Sequence, residues 1–345
     1  MSKVPKIAIN GFGRIGRLTA RALFELKKQG KNFELVAVND LAKADILGHL
    51  FEYDSVHGRY DGKVEIDKDK NTITIDGNKV QVYSIRNPEE LPWKDLGVDY
   101  VIESTGIFRD KVGASKHIKA GAKRVILSAP AKGDGFLTVV RGVNSDTYDP
   151  AKHTLVSNAS CTTNCLAPVC KILHDAFEIE DAMMTTTHAV TLDQSIQDAQ
   201  HSDPRRARAA FQSIIPTSTG AATAIGLVLP ELNGKINGMA LRVPVQNVSV
   251  VDLVAKVKNP PKSKDDLAKV FMEASEKPEW NGIFLAETKE LVSIDFNHNS
   301  HSSIVDIPSL MVHDKLVKVL AFYDNEWGYS TRVAEVVHDI WAKEN

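Results

Sequence analysis

The feature that most constrains the fold is the glycine-rich segment Gly11–Gly16, which follows an apolar run and opens a helical pattern. Lys6–Asn10 is predicted to be a buried strand, and from about Arg14 the apolar residues recur on one helical face. In a segment of this spacing the glycines allow a tight turn, a close approach of backbone to pyrophosphate, and close packing of helix on strand. The segment therefore predicts a dinucleotide-binding turn, with a tight loop that binds nothing as the alternative.

An acidic residue stands where a dinucleotide site needs one. The next predicted strand, Glu34–Asp40, ends in a carboxylate that could hold both hydroxyls of the adenosine ribose and would repel a 2′-phosphate. This favours NAD over NADP, although a solvated acid in a turn would look the same. Thr105-Gly106 ends a further strand at the same expected edge, where ligands of open α/β sheets bind, but a simple turn glycine would give the same pattern.

The apolar runs divide the chain into two parts. In the first half, short runs rich in β-branched residues alternate with helical patterns, which predicts a Rossmann-type doubly wound parallel sheet. In the second half, longer strand candidates follow one another closely, which predicts an α+β catalytic domain with a mixed or antiparallel sheet; they are Thr185–Val190, Gly238–Val243, Val248–Val257, Leu291–Asn297 and Leu316–Tyr323. We expect a dinucleotide-binding domain over residues 1–160, completed by a C-terminal helix over 326–345, and a catalytic domain over 161–325.

Composition narrows the class of protein. The chain has 345 residues, enough for two domains, and a formal net charge of −2, which argues against nucleic-acid binding. No apolar run has the length of a membrane span, and no targeting segment precedes the first predicted strand. The cysteines Cys161, Cys165 and Cys170 are too close together to staple a fold, which favours a reducing cytoplasm. They lack the further ligands of a zinc site, as do His298 and His301, so we expect no metal.

Cys161 is the candidate nucleophile. Small polar residues precede it and an apolar helical stretch, Leu166–Phe177, follows, so we expect Cys161 at a helix N-terminus, where the dipole and free N–H groups stabilise a thiolate. The hydroxyls of Ser160 and Thr162 could bind an anion at the same point. The alternative for Cys161 is a small buried hydrophobe, which is our interpretation of the two later cysteines.

A thiol nucleophile needs a base, and His188 is the best candidate among the 11 histidines. It ends the strand-like run 183–187, from which a side chain can project into a cleft. A structural histidine is the alternative. Arg206, in the basic run 204–208, is by itself more typical of a charged surface.

The chain resembles the phosphorylating glyceraldehyde-3-phosphate dehydrogenase family over essentially its whole length. The matching stretches lie in family order and at family spacing. They are Ile9–Arg17, Tyr53–Gly58, Glu103–Gly106, Ser157–Cys165, Ser218–Ala222 and Trp327–Ser330.

The resemblance implies the site residue by residue. With the residues of the glycine turn and Thr105 included, the expected contacts to NAD are Gly11, Gly13, Arg14, Ile15, Gly16, Asp40, Arg86, Thr105, Ser128 and Asn325. Cys161 matches the nucleophile and His188 its base. The positions that match the site of attacking inorganic phosphate are Ser160, Thr162, Thr219 and Gly220. Those that match contacts to the substrate's phosphate are Thr191, Arg206 and Arg242.

The implied reaction is the oxidative phosphorylation of glyceraldehyde 3-phosphate to 1,3-bisphosphoglycerate through a cysteine thioester, in glycolysis or gluconeogenesis. Hydride passes to NAD(P). The implied partners are glyceraldehyde 3-phosphate and inorganic phosphate, and the implied assembly is a homotetramer.

Three positions depart from the family pattern. Ala199-Gln200 stands where NAD-preferring members often carry Leu-Pro, and members that use NADP often have small or polar residues there. NAD remains favoured, with NADP or dual use open. Val190 replaces a more usual tyrosine, and Pro204 stands where leucine is common, which could alter the loop or subunit contacts.

Two alternative functions stay open at this stage. Erythrose-4-phosphate dehydrogenase shares the cysteine, the histidine and the Rossmann features, but it typically lacks the Thr-Gly pair that Thr219-Gly220 keeps. A non-catalytic RNA-binding role through the dinucleotide cleft would not require Cys161 or His188, and the near-neutral charge argues against it.

Overall fold

The computed structural model of the chain describes residues 4–345. These residues form two compact units. The first contains residues up to 139, residues 146–159 and residues 330–345, and the second contains residues 140–145 and 160–329. Among the described residues, every helix is too short or too polar to span a membrane.

The first unit is built on a nine-stranded sheet, with a separate two-stranded hairpin formed by its third and fourth strands. Its strands are β1 (Lys6–Asn10), β2 (Glu34–Asn39), β3 (Tyr53–Asp54), β4 (Gly58–Arg59), β5 (Val64–Asp67), β6 (Thr72–Ile75), β7 (Asn78–Tyr83), β8 (Tyr100–Glu103), β9 (Arg124–Leu127), β10 (Leu137–Thr138) and β11 (Leu155–Ser157). Its helices are α1 (Arg14–Lys28), α2 (Ala44–Glu52), α3 (Trp93–Leu96) and α4 (Lys111–Lys119).

The strand order is β10-β11-β9-β8-β1-β2-β7-β6-β5, parallel from β10 to β7 and antiparallel beyond. The central strand β8 is buried at every residue, as expected of a parallel strand covered on both faces. The antiparallel end was not predicted, although Asp76-Gly77 between β6 and β7 is a typical hairpin turn with both residues at positive φ.

The last helix, α8 (Trp327–Glu344), ends on a partly buried set of polar side chains in the first unit. The carboxylate of Glu344 accepts hydrogen bonds from Tyr100 Oη and Tyr148 Oη, both at 2.6 Å, and from Arg124 Nε at 2.9 Å. Burial and the bond to Glu344 raise the pKa of Tyr148 to about 12, so its hydroxyl stays a donor. These bonds attach the C-terminal end of α8 to the strands β8 and β9.

The second unit is an eight-stranded sheet with helices packed against it. Its strands are β12 (Ile179–Ala189), β13 (Ile215–Ser218), β14 (Ile236–Val243), β15 (Ser249–Val257), β16 (Phe284–Glu287), β17 (Ser303–Asp306), β18 (Met311–His313) and β19 (Leu316–Tyr323). Its helices are α5 (Cys161–Phe177), α6 (Ala221–Val228) and α7 (Lys264–Ser275). The order is β13-β14-β12-β15-β19-β17-β16, with β18 paired to β19. Because β12–β14 and β16–β17 are parallel and the other pairs antiparallel, the predicted mixed sheet is confirmed.

One predicted strand is wrong. Leu291–Asn297 contains a short 3-10 helix, Ser293–Phe296. The Asp295 carboxylate accepts the Val292 N–H at 2.9 Å, and the Asp295 N–H bonds back to the Val292 carbonyl at 3.0 Å. These local hydrogen bonds use backbone groups that a strand would need for pairing with an adjacent strand.

Candidate active site

The glycine turn after β1 has the shape that a dinucleotide requires. Gly11 has a φ of 89°, and a side chain on it would bring a Cβ to 2.6 Å from the Thr105 backbone nitrogen. A Cβ on Gly16 would collide with the Gly11 carbonyl, so packing alone requires both glycines. Gly13 is different, since a Cβ there would have no atom within 4 Å. It caps α1 without a side-chain hydrogen bond, which leaves open space before free helix N–H groups and fits a pyrophosphate.

The other predicted cofactor residues of the first unit lie at the carboxyl ends of its strands. β1 lies between β2 and β8, so the chain crosses to opposite sides of β1, and the crevice at such a point is where α/β sheets bind ligands. Asp40 follows β2 and accepts the Phe12 N–H at 2.8 Å. Thr105 follows β8, and Ser128 follows β9 with its Oγ 2.7 Å from that of Ser104. Arg86 is exposed on the segment after β7.

Asn325, the remaining predicted cofactor contact, belongs to the second unit. It is buried there and its Oδ1 accepts a hydrogen bond from Ser249 Oγ at 2.8 Å. Within the first unit, the glycine turn after β1, the Asp40 carboxylate and the uncapped N-terminus of α1 together fit an NAD(P) dinucleotide.

A buried polar network behind the glycine turn was not predicted. The carboxylate of Glu103, the last residue of β8, is fully buried and accepts from Asn10 Nδ2 at 2.6 Å and from the Thr105 N–H at 2.8 Å. His117 Nε2 lies 2.9 Å from the same carboxylate, and Trp93 Nε1 donates to His117 Nδ1 at 2.9 Å. Because an indole can only donate, Nδ1 is the acceptor and Nε2 carries the proton given to Glu103. The sequence pattern that could have indicated this network is the acidic residue Glu103 at the end of an apolar strand.

The proposed nucleophile and base are brought together in the second unit. Ser160 is the N-cap of α5, where its hydroxyl accepts the Thr163 N–H at 3.0 Å, and Cys161 is the first helical residue, as the sequence predicts. His188 lies near the end of β12 and is buried. Its Nε2 is 3.5 Å from Cys161 Sγ, within reach of a thiol hydrogen bond. The arrangement can therefore pass a proton from sulfur to imidazole.

Burial opposes charge on both members of this pair. Burial and the neighbouring Arg242 lower the pKa of His188 to about 3, so the imidazole is neutral near pH 7. Burial raises the pKa of the Cys161 thiol, an effect larger than the opposing influence of Arg242 and the helix N–H groups. Burial and the helix N-terminus therefore act in opposite directions on the thiol, and the geometry allows its proton to pass to His188 as the sulfur attacks.

Strand register places Arg242 beside the base. β12 and β14 are parallel, and their register pairs His188 with Arg242. Arg242 Nη1 lies 2.6 Å from His188 Nδ1 and donates to the Ala189 carbonyl at 3.0 Å. Arg206 lies on the loop after β12, where its Nη1 pairs with Asp193 and its Nε donates to Thr217 Oγ1 at 2.9 Å.

The remaining predicted anion contacts lie at helix ends and in the same loop. Thr162 Oγ1 is 2.8 Å from Tyr323 Oη, inside the protein. Thr219 and Gly220 immediately precede α6, and a Cβ on Gly220 would have no atom within 4 Å. Thr191 is exposed and its Oγ1 lies 3.4 Å from Gln194 Oε1.

The family departures lie on the long loop between β12 and β13. Ala199, Gln200 and Pro204 are exposed, and the Val190 N–H bonds to the Val245 carbonyl at 3.0 Å. Pro204 begins a turn in which the Ala207 N–H returns to the Asp203 carbonyl at 3.2 Å. Proline fits the first position of such a turn because its N–H is not needed.

Tyr323 is a site residue that sequence reasoning missed. It ends β19, is buried, and its Oη lies 2.8 Å from Thr162 Oγ1 and 2.9 Å from Thr186 Oγ1. Its ring meets the His188 imidazole edge to face, with centroids 6.0 Å apart. Its alternating strand pattern gave no sign of this position. Among residues 4–345, no group of three or more His, Cys, Asp or Glu side chains could hold a metal ion.

The fold and the site together define a class: a two-unit dehydrogenase with a Rossmann dinucleotide domain and a cysteine–histidine pair. Residues 5–111 match the family described as "Glyceraldehyde 3-phosphate dehydrogenase, NAD binding domain", and residues 160–325 match "Glyceraldehyde 3-phosphate dehydrogenase, C-terminal domain". A glyceraldehyde-3-phosphate dehydrogenase of Geobacillus stearothermophilus is 51% identical over 339 residues, covering 98% of each chain. That of Pseudomonas aeruginosa is 51% identical over 330 residues, covering 96% of each.

The chain belongs to the glyceraldehyde-3-phosphate dehydrogenase family. This confirms the predicted family, the fold class, and an oxidoreductase that uses NAD(P). The roles assigned to individual residues stay predictions.

Proposed function

We propose that this chain oxidises glyceraldehyde 3-phosphate and couples the oxidation to phosphorylation, giving 1,3-bisphosphoglycerate. The observation that carries the proposal is the 3.5 Å approach of Cys161 Sγ to His188 Nε2 at the N-terminus of α5, in a chain of this family. A thiol nucleophile beside a neutral base is the arrangement that thioester chemistry needs. The erythrose 4-phosphate alternative is not favoured, because the Thr219-Gly220 pair is present and the relatives carry the glyceraldehyde-3-phosphate name.

The first half of the reaction uses the cysteine–histidine pair. The Cys161 sulfur bonds to the aldehyde carbon while its proton passes to His188, and His188 returns that proton to the former carbonyl oxygen, giving a thiohemiacetal and a neutral imidazole. His188 then accepts the hydroxyl proton as the carbonyl of the thioester forms. The nicotinamide, when bound, supplies the acceptor for the hydride that leaves the same carbon.

The second half needs two separate anion positions. Inorganic phosphate attacks the thioester carbon, the C–S bond breaks, and an acyl phosphate leaves with Cys161 restored. We assign the attacking phosphate to Ser160, Thr162, Thr219 and Gly220, and the substrate's own phosphate to Thr191, Arg206 and Arg242. The N-terminus of α6 supports the first assignment, since its N-cap Gly220 makes no side-chain hydrogen bond and Thr219 Oγ1 already lies 3.2 Å from the Ala221 N–H, and the two arginines support the second.

We propose NAD as the preferred cofactor, bound by the domain over residues 1–160 and 326–345, with the chemistry carried by 161–325. The Asp40 carboxylate at the end of β2 supports this preference, since a 2′-phosphate there would meet a like charge. NADP use is the outcome expected if the exposed Ala199-Gln200 loop dominates. Asn325 is the proposed cofactor contact from the second unit.

We further propose a cytoplasmic homotetramer that acts without membrane or nucleic acid. Exposed apolar side chains on β12 and β14, Met183 and Met239, and on the following loop, Leu192 and Ile196, support self-association. Three free thiols support a reducing compartment. Sedimentation should give four times the 37.9 kDa chain mass, and a stable monomer would contradict the assembly.

The deciding experiment is the initial rate with glyceraldehyde 3-phosphate and NAD or NADP, with and without inorganic phosphate. We expect phosphate-dependent NADH formation, abolished by Cys161→Ser. The matched control is Cys165→Ser, four positions further along α5 and buried with its Sγ near Ser303 Oγ, which should retain turnover. Absence of turnover with both cofactors would overturn the proposed reaction.

A further inference from the structure

A fully buried carboxylate lies beside the turns proposed to hold the dinucleotide, and the proposed reaction leaves it unused. Glu103 Oε1 accepts two hydrogen bonds from Thr105, one from the backbone N–H at 2.8 Å and one from the hydroxyl. Glu103 Oε2 accepts from Asn10 Nδ2 at 2.6 Å and from His117 Nε2 at 2.9 Å. One side chain therefore joins the ends of β1 and β8 to α4.

Two asparagine side chains extend this network along the edge of the sheet. Asn10 Oδ1 accepts from Asn39 Nδ2 at 2.7 Å, and both amides are buried. Asn39 also forms two hydrogen bonds with the backbone of Ile85, donating to its carbonyl oxygen at 2.9 Å and accepting from its N–H at 2.9 Å. The network thus continues from the end of β1 to the end of β2 and to the segment that follows β7.

The network residues adjoin the residues proposed to contact NAD. Four of those proposed contacts either directly follow a network residue in the sequence or are bonded to one; they are Gly11 after Asn10, Asp40 after Asn39, Arg86 after Ile85, and Thr105 at Glu103. A main-chain bond acts at the same edge, with the Gly11 N–H donating to the Asn39 carbonyl at 2.8 Å. Because the network holds the residue before each contact, it also sets where each contact begins.

The hydrogen bonds of Thr105 are directed into the protein. Its hydroxyl donates to Glu103 and accepts the Ile107 N–H at 3.1 Å, and its own backbone N–H also donates to Glu103. Neither proton of Thr105 is therefore offered to a cofactor. Gly106, the next residue, is exposed with a φ of 72°, and a Cβ on it would have no atom of the described chain within 4 Å. Glu103 thus sets the position of a turn that presents the Gly106 backbone to open space.

Stabilisation of the fold does not by itself account for a charge at this point. Desolvation of a buried carboxylate offsets much of what its hydrogen bonds contribute, so a buried charge often adds no stability over apolar packing. A carboxylate does supply strong, charge-assisted hydrogen bonds that fix the groups donating to it. Groups that are fixed before a ligand arrives lose less entropy when it binds. The network therefore suits a binding site that is formed in advance.

We propose that Glu103 is a positioning residue for the dinucleotide. It holds the Thr105-Gly106 turn and, through Asn10, the glycine turn in the geometry that NAD requires before NAD binds. Asn39 extends this effect to the end of β2 and to the segment after β7. The inference rests on the proposed cofactor contacts and assigns no chemical step to Glu103.

The principal test is Glu103→Gln in the full-length chain. The amide keeps the shape of the side chain, but in either orientation its Nε2 faces a group that donates, the Thr105 N–H or His117 Nε2. We expect the Kd of NAD, measured by calorimetry, to rise about tenfold or more, while kcat at saturating substrates changes by less than about threefold. The KM of glyceraldehyde 3-phosphate should not change. A Kd within about twofold of wild type in the folded variant would overturn the inference.

The matched control is Glu344→Gln, the same change at the opposite end of β8. Glu344 also accepts from three donors, Tyr100, Arg124 and Tyr148, but none of them is a proposed cofactor contact. Both variants should lose stability in urea, and only Glu103→Gln should lose NAD affinity. Equal losses of NAD affinity would mean that binding follows stability alone, which would contradict the positioning role.

A double variant, Asn10→Asp with Glu103→Gln, restores the hydrogen bonds with the charge moved to the adjacent strand. The carboxylate at position 10 can accept from the new amide and from His117 Nε2, which lies 3.4 Å from the Asn10 Nδ2 that a carboxylate oxygen replaces. Its other oxygen can still accept from Asn39 Nδ2. We expect most of the lost NAD affinity to return. A folded double variant that binds NAD no better than Glu103→Gln would overturn the proposal.

Hydrogen exchange of the ligand-free chain gives a measurement that needs no cofactor. Backbone amides of residues 11–13 and 104–107 should exchange faster in Glu103→Gln than in wild type, because one or both turns lose an anchor, and in Glu344→Gln they should not. If both segments exchange at the wild-type rate in Glu103→Gln, the turns do not depend on this carboxylate and the inference is wrong.

Should Glu103→Gln fail to fold, Asn39→Ser takes its place, since it removes only the amide between Asn10 and Ile85. Its NAD Kd should rise about threefold or more, and a wild-type Kd there would count against the network in the same way. Failure of the inference is distinguishable from failure of the proposed function. If the wild type forms NADH from glyceraldehyde 3-phosphate only when phosphate is present, the reaction stands and the positioning role alone is lost.

Discussion

The two units each bury a histidine, and the two rings have different surroundings. His117, in the first unit, is fully enclosed and has a proper partner at each nitrogen, with the Trp93 indole at Nδ1 and the Glu103 carboxylate at Nε2. His188, in the second unit, has a carbonyl and a guanidinium competing for Nδ1, and a thiol at Nε2. Both are buried, so burial alone does not decide which one reacts.

The difference lies in the satisfaction of the ring nitrogens. Two fixed and complementary hydrogen bonds hold His117 in one tautomer, and moving its proton would break both. At His188, the Ala189 carbonyl and Arg242 Nη1 both lie 2.6 Å from Nδ1, and a single tautomer satisfies only one of them. We therefore expect His117 to be structural and His188 to be the reactive histidine.

The largest expected effect is on activity at the reactive histidine. We expect His188→Asn to lower kcat by roughly 100- to 10,000-fold, because the proton acceptor for the Cys161 thiol is removed. Initial rates with glyceraldehyde 3-phosphate, NAD and phosphate measure this. His117→Asn, assayed beside it, should lose far less activity per folded molecule, and equal losses would break the comparison.

The next effect is on stability at the structural histidine. His117→Ala should lower the free energy of unfolding by about 3 kcal/mol, because it leaves the buried Glu103 carboxylate short of a donor and the Trp93 indole without an acceptor. Urea denaturation measures the change. The control is Trp93→Phe, which removes only the indole bond and should cost less. An unchanged free energy of unfolding in His117→Ala would show that this hydrogen-bond network does not stabilise the fold.

The two histidines should also differ in how they make stability depend on pH. The fold lowers the pKa of His188 to about 3. At a pH below the ordinary histidine pKa, the unfolded chain therefore binds a proton at this residue that the folded chain does not bind. His188→Asn should therefore gain stability relative to wild type as pH falls from about 6.5, reaching about 2 kcal/mol at pH 5. Denaturation at pH 7.5 and pH 5 tests this, and a constant difference would contradict it.

The smallest effect is expected at Tyr323, which bonds to the helix of the nucleophile and the strand of the base. Tyr323→Phe keeps the ring against His188 but removes the hydroxyl shared by Thr162 and Thr186. We expect a loss in kcat of about tenfold or less, with stability lowered by about 1 kcal/mol. Steady-state kinetics and urea denaturation together separate the two. An unchanged kcat would mean that Tyr323 serves packing alone.

The sequence by itself determined the features that depend on local chemistry. The glycine spacing defined the turn after β1, and small polar residues before an apolar stretch put Cys161 at the start of α5. Period-two and buried runs predicted most strands, and β1 and β19 have the predicted bounds. Each of these signals acts over a few residues, so a linear pattern contains it. The strand predicted over Leu291–Asn297 was wrong because the Asp295 carboxylate accepts the Val292 N–H and stabilises a short 3-10 helix there.

Only the tertiary structure decided which distant side chains meet. Arg242 lies beside His188 because two parallel strands pair in one register, across 54 positions of sequence. Glu103 and Trp93 reach His117, and Tyr323 reaches Thr162, by the same kind of long-range packing. Register and packing follow from burying whole faces of many elements at once, and no local pattern records which partners that burial selects. The sequence therefore predicted a reactive pair, and the fold decided which charges and hydrogen bonds surround it.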